Sequence, residues 1–86
     1  MNINKLIAIV KNKIEKEIVI QDLKIEDKSF LHKNHKGHQE GKFHLKLTIN
    51  SDELSKISKI VATKRIYNVL DLELKEHIHS IQILFN

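Results

Sequence analysis

Apolar positions along the chain follow two different periods. Ile3, Leu6, Ile7, Val10 and Ile14 recur at helical spacing, and Lys5, Lys11, Lys13 and Lys16 fall mostly off that stripe. This predicts an amphipathic helix of about four turns that ends near Glu17. The next stretch, I-V-I-Q-D-L-K-I-E-D, alternates imperfectly, with Val19, Leu23 and Ile25 sharing parity. It predicts a strand with one wet face. K-F-H-L-K-L-T-I-N alternates cleanly: Phe43, Leu45, Leu47 and Ile49 face one way, and His44, Lys46 and Thr48 the other. Ser51 and Asp52 are capping residues that start a short helical turn. Ile57, Ile60, Tyr67, Leu70 and Leu74 then define one face of a long helix, from about Ser58 to Leu74. The last stretch, H-I-H-S-I-Q-I-L-F-N, alternates again and sets His79, Ile81, Ile83 and Phe85 on one side, expected to be the core side.

The predicted order is helix, strand, strand, short helix, long helix, strand. Two strands joined by a loop make an antiparallel hairpin. A third strand that returns after a helix can pair in parallel. The expected fold is α+β: one three-stranded mixed sheet with helices packed on one face, which buries every apolar stripe. Eighty-six residues without a linker, a repeat or a proline read as a single domain, 1–86.

Between the first two strands lies S-F-L-H-K-N-H-K-G-H-Q-E-G, residues 29–41. Gly37 and Gly41 mark it as a loop. His32, His35 and His38 stand at a spacing of three in a chain without cysteine. Neutral imidazole binds borderline metals well near neutral pH. The loop is therefore a candidate donor to a metal completed from elsewhere. The competing reading is a solvated polar turn, since loops are polar by default. Zinc held by His32, His35 and His38 alone ranks lower, because structural zinc takes four fixed ligands. His79 is a further candidate, read against a plain strand-start histidine. His44 on the wet face and His77 further out are expected to carry no role.

Composition narrows the chemistry. Without cysteine there is no disulfide framework, no thiolate metal site and no thiol nucleophile. There is no Ser–His–Asp order, no Gly-rich phosphate loop and no H-E-x-x-H, so an enzyme is not expected. The N-terminal apolar run of five residues is too short for a signal sequence or a membrane span. The expectation is a cytoplasmic protein without a membrane partner. The net charge of +4 permits an acidic partner such as DNA, but Arg65 is the single arginine available for bidentate base reading.

Four stretches resemble the BolA family in order, spacing and element type: D-K-S-F-L-H-K-N-H-K-G-H-Q-E-G (Asp27 to Gly41), F-H-L-K-L-T-I-N-S (Phe43 to Ser51), R-I-Y-N-V-L-D-L-E-L (Arg65 to Leu74) and I-H-S-I-Q-I (Ile78 to Ile83). The resemblance covers nearly the whole chain. It implies a helix-strand-strand-helix-helix-strand fold of the class II KH type. It implies a monothiol glutaredoxin, with glutathione, as partner, and a [2Fe–2S] cluster shared with that partner in iron–sulfur trafficking or iron regulation. Alone, the chain would carry no cofactor and be a monomer or weak homodimer. The family's near-invariant histidine falls on His79, and its loop ligand, a His or Cys, on His32; His35 and His38 rank behind His32. Lys64, Arg65 and His79 fall on the partner face. One departure is Thr63, in A-T-K-R, where members commonly carry histidine. Lacking thiols, the chain could offer a cluster only imidazoles. Partner thiolates on one iron, with His32 and His79 on the other, would give Rieske-like ligation. The alternative function is a KH-like nucleic-acid-binding transcriptional regulator. A G-x-x-G clamp between helices is missing for that role, since both glycines lie in the strand–strand loop.

Overall fold

The structure is a computed structural model and describes residues 1–29 and 42–86. Helix α1 (Ile3–Glu17) starts at Asn2, whose side chain accepts the Lys5 N–H at 2.8 Å. Leu6, Val10 and Ile14, four residues apart, are fully buried on its inner face. The strands are β1 (Asp22–Asp27), β2 (Phe43–Asn50) and β3 (Ile78–Phe85), in the order β1-β2-β3. β1 and β2 pair antiparallel, and β2 and β3 pair in parallel. The register builds apolar rows across the sheet. Leu23, Ile49 and Phe85 form one, and Ile25, Leu47 and Ile83 the next. Leu45, Leu47 and Ile49 of the central strand are buried beneath α1 and its neighbours.

Ser51 starts α2 (Asp52–Ser55). Its hydroxyl accepts the Leu54 N–H at 3.1 Å and donates to the Val19 carbonyl at 2.7 Å. One buried serine thus caps a helix and fastens the chain that leaves α1. Val19 itself is 63% exposed and precedes the strand, which begins at Asp22 rather than at Val19 as expected.

The expected long helix is two helices, α3 (Lys59–Val69) and α4 (Asp71–Glu76). They meet at Leu70, whose backbone (φ −101°, ψ 17°) leaves the helical region while the side chain stays fully buried. The buried stripe also differs from the expected one. Ala62, Ile66 and Leu70 face the core, at a spacing of four, with Glu73 following them. Ile60 and Tyr67 are 70% and 43% exposed, and Ile57 is exposed as well. Large apolar residues sit on protein surfaces readily. Ala62 is the smallest member of the buried stripe, at 1% exposure.

Glu73 is buried and ties α4 to α1: its Oε2 lies 2.6 Å from Lys13 Nζ. Among the described residues no helix is long and apolar enough to cross a membrane.

Candidate functional site

The sheet register slips at one place. Phe43 pairs with Ile78, but His44 pairs with Ser80, so His79 is an extra residue opposite the Phe43–His44 step. Such a bulge re-aims the side chains around it. Ile78 turns into the core and is buried, while His79 is exposed. This corrects the expectation that His79 shares the core side with Ile81 and Ile83. Simple parity fails because the count of residues per pleat changes at the bulge.

On the outer side His79 meets His44. The two rings stack with centroids 4.9 Å apart and planes 22° apart. His44, expected to be solvated and without a role, is buried at 6% exposure. Its Nδ1 lies 2.6 Å from Ser80 Oγ, and its backbone N–H donates to Ser29 Oγ at 3.1 Å. The Lys28 N–H donates to the His44 carbonyl at 2.7 Å, and the Ser29 N–H to Asp27 Oδ1 at 2.9 Å. His44 is therefore the post on which the end of β1, the start of β2 and the bulge of β3 are fixed. Alternation alone hid it, because neighbours rather than parity cover its ring.

His32, His35 and His38 lie outside the described residues. Ser29 and Lys42, which flank that stretch, are both anchored here: Ser29 on His44, and Lys42 through its Nζ to the Lys75 carbonyl at 3.4 Å. His77, read as solvated, is half-buried, and its Nε2 lies 3.8 Å from Glu76 Oε2. Among the described residues no group of three or more His, Asp or Glu gathers as a metal site. Any ion held at His79 needs donors from elsewhere.

A family model described as BolA-like protein matches residues 14–85. The chain belongs to the BolA family. It is 35% identical, over 75 residues, to the DNA-binding transcriptional regulator BolA of Haemophilus influenzae, covering 87% of this chain and 70% of that protein. It is 31% identical, over 80 residues, to SufE-like protein 1, chloroplastic/mitochondrial, of Arabidopsis thaliana, covering 87% of this chain but only 22% of that longer protein. Among solved structures, the BolA domain of SufE1 from Arabidopsis thaliana superposes with a TM-score of 0.77 at 29% identity, over 100% of this chain and 93% of that one.

In this BolA chain the two basic residues expected on the partner face part company. Lys64 points outward beside Lys59, Ile60, Thr63 and Tyr67, which line a shallow groove of about 370 Å³. Arg65, one residue on, turns toward α2 and pairs with Glu53 Oε2 at 2.7 Å. The hydrogen bond from Arg65, and then the Val19 N–H, hold the Glu53 carboxyl below the ordinary glutamate range. On β1, burial would raise the Glu26 carboxyl. The Lys28 hydrogen bond and the charges of Lys24, Lys28 and Lys46 outweigh it and hold that carboxyl low.

Proposed function

We infer that this BolA-family chain is an adaptor that docks on a monothiol glutaredoxin and lends imidazole ligands to a [2Fe–2S] cluster held between them. The observation that carries the reading is the bulge: it expels His79 from the core, exposes it and leaves its ring braced against His44. A metal-binding histidine works best when its ring is oriented by a neighbour. Here Ser80 holds His44 and His44 backs His79. The donor set fits a shared cluster, since one exposed imidazole without thiols cannot hold iron alone.

His32 is the second proposed ligand. Ser29, three residues before it in the sequence, is tied to His44, the residue whose ring stacks on His79. His35 and His38 are the reserves. The outer groove of α3, with Lys64, Ile60 and Tyr67, is the proposed docking face. Arg65 supports it indirectly, by fixing α3 to α2 through Glu53.

Co-expression with a monothiol glutaredoxin and glutathione tests this. The expected product is a coloured heterodimer with visible circular dichroism. The double change His32→Ala, His79→Ala should bleach it. An intact spectrum in that variant would remove both ligand assignments.

A second reading is favoured by the relative from Haemophilus influenzae, a DNA-binding transcriptional regulator, and by the charge of +4. Direct DNA binding would weaken steeply with salt, because released counterions drive it. No binding by micromolar protein at physiological salt would leave the adaptor reading alone.

A further inference from the structure

The sheet has two edges, and they are built differently. β1 is six residues long and carries Asp22, Lys24, Glu26 and Asp27. Glu26 lies 3.9 Å from Lys24 and 3.3 Å from Lys28, so that edge is laced with charge. Short, charged edges resist pairing with another chain. β3 is eight residues long, I-H-S-I-Q-I-L-F, with no acid, lysine, arginine or proline. Among the described residues its outer edge pairs with no strand. Ile81, Ile83 and Phe85 pack against the core cluster yet stay only partly buried, and Leu84 on the other face is 41% exposed. An uncharged, β-branched edge with a half-covered apolar rim is what proteins normally blunt. Here, among the described residues, the one blunting device is the bulge at His79, which leaves Ser80 to Phe85 regular.

We propose that the outer edge of β3 pairs antiparallel with β3 of a second copy of this chain, giving a six-stranded sheet with all helices on one side. Two observations select that occupant. A like strand meets no like charge, because β3 has none, although the chain carries +4. The charged β1 edge disfavours head-to-tail stacking, so association closes at a two-fold dimer instead of running on as a fibre. Symmetry then fixes what meets what. Residues directly opposite in an antiparallel pair share a face of the sheet. A two-fold axis at Gln82 sets Ile81 against Ile83 of the second copy, twice over, on the helix side. Gln82 faces Gln82, and Ser80 faces Leu84, on the open side. The half-covered rim of each copy is completed by the other. His79 stays outside the paired stretch, so this surface is independent of the proposed ligand site.

A contact of about five residue pairs falls in the small class of interfaces, below roughly 1,200 Å². Association should therefore depend on concentration. Sedimentation equilibrium of the full chain from about 10 µM to 1 mM should show a monomer–dimer equilibrium. Outward-facing amides within Ser80 to Leu84 should exchange more slowly as concentration rises. Gln82→Lys places like charges directly across the two-fold and should weaken the dimer about tenfold or more, and Leu84→Lys removes the apolar contact beside Ser80 of the second copy and should weaken it as well. Circular dichroism serves as the check that both variants fold. Lys24→Gln, on the other edge, should leave the equilibrium unchanged. A monomer throughout the range would overturn the proposal, and so would a dimer indifferent to both lysines. A dimer lost through Ile60→Lys instead would place the contact on α3 and overturn it too. Slower β3 exchange that appears only with an added extended peptide, the chain remaining monomeric, would assign the edge to a peptide and refute self-pairing.

Discussion

Helices α1 and α3 are both amphipathic, but they use their apolar residues differently. In α1 the stripe visible in the sequence is the stripe that packs: Leu6, Val10 and Ile14 are fully buried. In α3 apolar residues occupy two faces. Ala62 and Ile66, continued by Leu70, enter the core, and Ile60 and Tyr67 remain outside around Lys64. The lesson is that a helix with one apolar face declares its packing, whereas a helix with two leaves one for something else. In this chain the outer face of α3, with Ile60 and Tyr67, is exposed among the described residues.

The comparison can be broken most forcefully at the buried faces. Leu6→Ala and Ile66→Ala should each cost about 2–5 kcal/mol in denaturant unfolding, because both empty a packed, fully buried site. If Ile66→Ala were silent while Ile60→Ala was costly, the two faces of α3 would have been assigned the wrong way round.

A smaller effect is expected where α1 meets α4. Lys13 and Glu73 pair at 2.6 Å, with Glu73 buried and Lys13 partly exposed. Glu73 Oε1 has no hydrogen-bond partner among the described residues. Lys13→Met strands a buried carboxylate and should cost about 1–3 kcal/mol. Adding Glu73→Leu should recover most of that loss, because a stranded charge costs more than an apolar pair of similar volume. No recovery in the double variant would mean that the pair does more than neutralise charge.

On the outer face of α3, Ile60→Ala and Tyr67→Ala should change stability by less than about 0.5 kcal/mol, as exposed positions do. They should nevertheless weaken capture by a monothiol glutaredoxin. Equal binding by wild type and variants would refute the partner role of this face.

The finest test is pH. Glu53 ionises more readily when folded, through its hydrogen bond from Arg65. Its stabilising share is complete above the unfolded glutamate value, about 4.3. It is lost as pH falls through the lower folded value, because the proton then binds the unfolded chain first. Glu53→Gln should flatten the stability profile only in that acid window. An unchanged slope would show that Arg65 does not hold Glu53.

Element order, the strand β2, helix α1 and the Ser51 cap were legible in the sequence, because one apolar face and a strong cap leave little choice. The break at Leu70 was not, since no glycine or proline marks it. The buried stripe of α3 was obscured by Ala62, which is small enough to be overlooked beside Ile60 and Tyr67. At the site, residue type pointed to His79, but its direction depends on a bulge that alternation cannot show. His44 was passed over for the same reason: its cover comes from Ser80 and His79, far along the chain. A cue was present in the shared chemistry of F-H-L and I-H-S, two strands each carrying histidine beside apolar residues. It becomes readable only once the parallel register sets His44 beside Ser80.

The central claim, that His79 gives its imidazole to a shared cluster, is tested most directly by pulsed electron paramagnetic resonance. The sample is the reduced heterocomplex, with ¹⁵N-labelled histidine only in this chain. The account predicts strongly coupled histidine nitrogens, as in Rieske-type centres, with one coupling lost in His79→Ala. A reduced cluster without ¹⁵N coupling, or with couplings unchanged by His79→Ala, would contradict it.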